Sequence, residues 1–307
     1  MSVDAYRQNL LQYHEDLNIE RKNLNDREKI MSPGYFPAYC WMTDKYPFVF
    51  NRSLTRKLPH QDIITDKFMS TDSYEKFVDS CAKLPDTWVY RNKNISYKVN
   101  SLGYRNREFS EIENWKDTIA FFGCSNVFGV GLALEDSPAY LVEQQTGKEV
   151  VNFGYPGGSN ELILMNIVNL CHYVKDEDFP ENIVIAWTCT DRMVYFNRDI
   201  VNLGAWSFLG DVHDKNKPPY RYIEAAVEIP TNEHMKQFYL AKTARELLRG
   251  RTNLVEFSYF PTSAKYMRCD LPIYGTPEDP WDYARDLLHP GIQSSKKIAN
   301  YITGKII

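Results

Sequence analysis

No Cys-x-x-Cys pair occurs in this sequence, although it has six cysteines, at Cys40, Cys81, Cys124, Cys171, Cys189 and Cys269. Zinc-finger and thioredoxin chemistry both need two thiols at that close spacing, so neither has support. No run approaches the roughly 18 apolar residues that a membrane-spanning helix requires. The opening stretch MSVDAYRQNLLQYHEDL lacks the apolar core of a signal peptide. The expectation is an intracellular protein with reduced, mostly buried thiols, in which the sequons at Asn51 and Asn94 stay unmodified. An excess of positive charge is missing too: 36 Lys and Arg against 40 Asp and Glu leave a net charge of −4. Neither nucleic acid nor a membrane is therefore expected as a partner.

What is present suits a globular chain. Hydrophobic residues make up 43% and charged residues 25%, enough for a sizeable core. The 307 residues exceed the usual domain size of about 100–200, which favours one large domain with an extension over two equal domains. The texture puts the boundary near residue 100. Residues 1–31 are polar, with only a patchy helical stripe from Leu10, Leu11, Leu17 and Ile19. Residues 33–50 carry three prolines and seven aromatics, the pattern of irregular chain packed on a surface. A helix is expected at 73–84, and TWVYRNKNISYKV (87–99) reads as a hairpin around Asn-Lys-Asn. Residues 1–99 are accordingly expected to be a docking or packing segment.

From residue 117 short β-branched or aromatic runs alternate with helical stretches. DTIAFFG, KEVVNFG, ENIVIAWT and LVEFSYF are the strand candidates; the helices are expected at 135–146, 160–175, 233–248 and 292–303. Such alternation predicts βαβ units and a parallel sheet covered on both faces. Residues 192–232 show few regular signals and read as an insertion. Ligands of such sheets bind beyond the carboxyl ends of the strands, so the polar residues just after each strand are where chemistry is sought.

Three stretches stand out. After the first strand comes Gly123-Cys124-Ser125-Asn126. A serine where strand turns into helix can expose its hydroxyl beside free backbone N–H groups, although by itself it is an ordinary helix cap. A dinucleotide GxGxxG would need Gly or Ala at Leu134, a P-loop would need Gly-Lys-Ser/Thr, and a G-x-S-x-G elbow would need Gly at Val127. After the second strand, Tyr155-Pro156-Gly157-Gly158-Ser159-Asn160 can bring a backbone N–H against a ligand or form a plain tight turn. Near the end, Asp286-Leu-Leu-His289-Pro290-Gly291 sets an acid where it can hold Nδ1 of the histidine and leave Nε2 as a base. The other histidines, at 14, 60, 172, 213 and 234, have no comparable setting.

Taken together, these stretches resemble the SGNH hydrolases, the GDSL esterase/lipase superfamily, over roughly residues 100–307. Gly123-Cys-Ser125 stands where that family has Gly-Asp-Ser, Gly157 matches its oxyanion glycine, and Asp286-x-x-His289 matches the pair that completes its triad. Asn100-Ser-Leu-Gly-Tyr-Arg105 looks like the N-x-x-G-[FY]-R lead-in of some members. The resemblance implies a three-layer α/β/α fold with a flavodoxin-like parallel sheet. It also implies a Ser125, Asp286, His289 triad with an oxyanion hole from Ser125, Gly157 and Thr190. No cofactor or metal is implied.

Two positions depart from the family. Cys124 replaces its Asp; that side chain should point away from its neighbour's, which makes Cys124 a poor nucleophile. Thr190 stands where the family usually has the Asn of Gly-x-Asn-Asp, and losing one such donor costs about 2.7–4 kcal/mol. The expected function is hydrolysis of a carboxylic ester, such as an O-acetyl group on a glycan. The alternative is a catalytically weakened binding or structural protein on the same fold, for example a component of a bacteriophage particle, present as a homo-oligomer or in a virion assembly. On these readings the protein is cytoplasmic, or in the virion if phage-encoded.

Overall fold

The computed structural model describes residues 47–49, 64–197, 199–204, 230–273 and 281–306. The helix expected within 1–31 and most of the irregular stretch 33–50 lie outside these residues. Among these residues, two strands and a helix precede residue 100: β1 (Ile64–Asp66), α1 (Tyr74–Lys83) and β2 (Tyr97–Val99). A parallel sheet follows, built from β3 (Ile119–Gly123), β4 (Val150–Gly154), β5 (Asn182–Trp187) and, beyond the antiparallel pair β6 (Met193–Asn197) and β7 (Asp199–Leu203), β8 (Asn253–Ser258). Its order, β4-β3-β5-β8, is that of a flavodoxin-like sheet.

The helices form the outer layers. α2 (Ser125–Phe128) and α3 (Pro138–Thr146) lie between β3 and β4, and α4 (Asn160–Tyr173) follows β4. α5 (Pro230–Leu248), α6 (Pro261–Met267) and α7 (Ile292–Ile306) are the other α-helices among the described residues. Strand alternation decides which layer each residue meets. Ile119 and Phe121 of β3 pack with Val142 of α3 and Ile298 and Ile302 of α7. Ala120 and Phe122 face the other way, toward Leu162 and Ile167 of α4 and Ala241 and Ala244 of α5. Every residue of β3, β4 and β5 is buried, as both-face cover requires. The protein is thus a three-layer α/β/α fold.

Local chemistry explains where the helices begin. The helix expected from 135 begins at Pro138, because Leu134–Asp136 forms a 3₁₀ turn and Ser137 then accepts the Tyr140 N–H. Ser159 caps α4 in the same way through the Leu162 N–H.

Two expectations are corrected. Residues 87–99 are not a hairpin. The run from Thr87 is taken up by turn bonds, Trp88 N–H to Pro85 at 2.9 Å and Arg91 N–H to Trp88 at 3.0 Å. The Arg91 guanidinium then caps the carbonyls of Cys81 and Leu84, each at 2.7 Å. Only Tyr97–Val99 pairs, antiparallel with Ile64–Asp66. The stretch read as irregular from 192 instead opens with the β6–β7 pair; residues 205–229 lie outside the described residues.

The described part of residues 1–99 is built into the domain. Phe48 is fully buried, with its ring 4.5 Å from Phe109 and 4.7 Å from Phe153 of β4. Met69, Tyr90 and Tyr97 share a cluster with Phe128, Val130 and Ala284. The five described cysteines are free, and among the described residues no helix is long and apolar enough to cross a membrane.

Candidate active site

Ser125 opens α2 directly after β3, at the carboxyl end of the sheet, with Cys124 as an extended N-cap. Two glycines in register, Gly123 and Gly154, let so short a helix sit across the strand ends. A Cβ on Gly123 would lie 2.3 Å from Val127 Cγ2, and one on Gly154 only 2.2 Å from the Phe128 amide nitrogen. Asn152 fastens the arrangement: its Nδ2 donates to the Val127 carbonyl at 3.0 Å, and its Oδ1 accepts the Gly154 N–H at 2.8 Å.

The Arg105 lead-in supports the chain that leaves α2. Asn100 Oδ1 accepts the N–H groups of Leu102 and Tyr104 and folds the lead-in on itself. Buried Arg105 then donates to the carbonyls of Gly129 (2.9 Å), Ser96 (3.0 Å) and Leu132 (3.1 Å). Burial pulls its pKa down to about 10, which leaves it charged at neutral pH.

Across from Ser125 lies the turn at 282–291. His289 Nε2 is 2.7 Å from Ser125 Oγ, and His289 Nδ1 is 2.6 Å from Asp286 Oδ2. Burial opposes ionisation of Asp286. The hydrogen bond and charge of His289, the Thr71 hydroxyl and the Leu288 N–H outweigh that and bring its pKa down to about 2. An ionised carboxylate only accepts, so Nδ1 carries a proton, and whenever Nε2 carries none it can accept from the serine hydroxyl. The turn is shaped for this pair. Leu287 holds a left-handed φ of 57°, and Asp286 Oδ1 accepts the N–H groups of Leu288 (3.1 Å) and His289 (3.2 Å).

The three residues expected for acid, base and nucleophile are therefore brought together. Among the described residues the N–H groups of Ser125 and Gly157 have no acceptor, whereas Gly158 donates to the Tyr155 carbonyl at 2.8 Å. Gly157 has a φ of 75°, which favours glycine there. Thr190 lies half-buried in the turn after β5, and its hydroxyl has no partner among the described residues. Cys124 is buried, its sulfur 3.9 Å from Ser125 Oγ, and makes no hydrogen bond to His289. Burial raises its pKa, but opposing effects led by the Arg192 charge outweigh that and hold it below the ordinary thiol value.

Sequence reasoning missed several supports. The Asn160 side chain clamps Thr188 at the end of β5, accepting its N–H at 2.8 Å and donating to its carbonyl at 3.1 Å. Its place after the capping Ser159, facing the strand ends, was the available signal. Thr71 donates to Asp286 Oδ2 at 2.6 Å, and Asp72 holds the adjacent Arg285; nothing near them in sequence marks either. Two surface cavities, of about 370 Å³ along α5 and about 280 Å³ beside β8, are lined by none of the triad residues. Neither a protein-family model nor a curated protein sequence matches this chain.

Proposed function

We propose that the protein is a serine esterase of the SGNH/GDSL type. What carries the reading is the unbroken hydrogen-bonded line from Ser125 Oγ through His289 to Asp286, 2.7 and 2.6 Å long, between residues 164 positions apart in sequence. On this reading His289 Nε2 takes the Ser125 proton as Oγ attacks the ester carbonyl. The oxyanion is met by the N–H groups of Ser125 and Gly157 and by the Thr190 hydroxyl. His289 returns the proton to the leaving alkoxide, giving an acyl-serine and the free alcohol. Water, deprotonated by the same nitrogen, then releases the acid and restores Ser125. Asp286 stays ionised throughout and holds the ring. A short-chain ester, such as an O-acetyl group on a glycan, is the proposed substrate.

Reaction with a fluorophosphonate, read by intact-protein mass spectrometry, tests the proposal. One adduct is expected, absent from Ser125→Ala and from His289→Ala. An adduct that persists in Ser125→Ala overturns the assignment. Thr190 in place of an amide donor favours a second reading, a binding or structural protein such as a bacteriophage particle component. A folded but inert chain would support that reading.

A further inference from the structure

We infer that Thr71 is a positioning residue of the triad: a turn that precedes the three layers supplies the hydroxyl that orients the Asp286 carboxylate toward His289. The inference rests on the esterase reading above and adds a residue to its machinery.

Asp286 has four hydrogen-bonding partners among the described residues. The N–H groups of Leu288 and His289 occupy Oδ1, and His289 Nδ1 meets Oδ2; these come from its own turn. The remaining one, Thr71 Oγ1, donates to Oδ2 at 2.6 Å from 215 residues away. It binds the oxygen that faces the imidazole, so it limits rotation of the carboxylate where rotation would break the Nδ1 bond.

Thr71 is itself held by neighbours that serve the same turn. A bridge between Met69 and Asp72, with Ser70 at a φ of 60°, closes a tight turn that presents Thr71. The next residue, Asp72, makes a two-point ion pair with Arg285, Nε to Oδ1 at 2.9 Å and Nη2 to Oδ2 at 2.7 Å, both side chains buried. Consecutive residues 71 and 72 thus hold consecutive residues 286 and 285. Tyr97 of β2 donates to Asp72 and accepts the Gly131 N–H at 2.7 Å, and the Arg285 N–H donates to the Gly131 carbonyl at 3.0 Å. That ties the clamp to the chain leaving α2. A hydroxyl on a carboxylate can also be plain packing, in which case its removal would leave the chemistry unmoved.

The full-length chain, Thr71→Val and Thr71→Ser separate the cases. Thr71 is exposed, so both variants should melt within a few degrees of wild type. Thr71→Val should lower kcat toward p-nitrophenyl acetate, and the rate of fluorophosphonate labelling, roughly tenfold with KM little changed, the loss expected for one hydrogen bond to a charged group. Thr71→Ser should recover to within about twofold, since it restores the same donor. A Thr71→Val variant as fast as wild type overturns the inference, and so does a Thr71→Ser variant as slow as Thr71→Val. Failure of the esterase reading looks different, because wild type itself would neither label nor hydrolyse. The downfield proton resonance of His289 Nδ1–H still decides the inference then. It should move or broaden in Thr71→Val and return in Thr71→Ser; an unchanged resonance in Thr71→Val overturns it.

Discussion

The serine and the histidine are held in place by different means. Ser125 is positioned by backbone: two in-register glycines admit α2 against the strand ends, and Asn152, two residues before Gly154, fastens it. His289 is positioned with the help of side chains from far away in sequence: the Thr71 hydroxyl on Asp286 and the buried pair of Asp72 with Arg285. A backbone-built site tolerates little change in shape. A site built from buried charge tolerates little change in chemistry. The two halves should therefore fail in different ways.

The largest effect should come from the charged half. Asp72→Ala leaves the Arg285 guanidinium buried without its carboxylate and should cost about 3–5 kcal/mol in urea unfolding. The double variant Asp72→Ala/Arg285→Met removes the charge altogether and should recover much of that loss, because an uncompensated buried charge is worse than none. A double variant as unstable as the single one would show that shape, not charge, holds this turn. The backbone half should then behave oppositely. Gly154→Ala adds no charge but forces a Cβ against the Phe128 amide, and should cost about 1–3 kcal/mol through overpacking. Fluorophosphonate labelling of Ser125 should fall with it. If Gly154→Ala is neutral in both measurements, α2 can slide, and the contrast between the halves is lost.

How far the sequence was legible follows the same division. The four parallel strands were readable because each is a short apolar run ending in polar or small residues, and a strand buried on both faces needs just that. That Ser125, Asp286 and His289 come together was readable because strand ends are where such folds place polar groups, and because Asp286 and His289 are near in sequence. The supports of His289 were not readable. Thr71 and Asp72 meet residues 215 and 213 positions away, and no local pattern records such a pairing. The run TWVYRNKN misled for the converse reason: its β-prone residues are consumed by turn bonds and by the Arg91 cap on α1. Strand propensity loses to such context.

The Asp286 carboxylate gives a pH test of the charged half, with a smaller effect. Its folded pKa, about 2, lies below the ordinary value of 3.8. The unfolded chain therefore binds more protons between those values. The stability this carboxylate contributes is present above about pH 4 and is lost as pH falls through about 2. It should amount to no more than about 2 kcal/mol. The urea midpoint of wild type minus that of Asp286→Asn isolates it from other carboxylates. That difference should shrink as pH falls from 4 to 2. A difference constant over this range would show that the ionised carboxylate is not what holds His289.

The smallest effect should come from Thr190, which belongs to neither half. Its hydroxyl has no partner among the described residues, so none of those residues aims it. A rigid amide donor in an oxyanion hole is worth roughly 10²–10³ in rate. A hydroxyl that must first give up free rotation should supply less, and Thr190→Val, which nearly keeps the shape and removes the donor, should slow kcat by less than about tenfold. KM should hardly move, because the oxyanion exists only in the transition state. Thr190→Asn sharpens the point: a longer amide that reaches the oxyanion should raise kcat above wild type. Should Thr190→Val instead cost a hundredfold, substrate must order the hydroxyl on binding, and the third oxyanion donor would be as well built as the backbone pair at Ser125 and Gly157. Should it cost nothing, then on the proposed esterase reading the Ser125 and Gly157 N–H groups would have to carry the oxyanion without it.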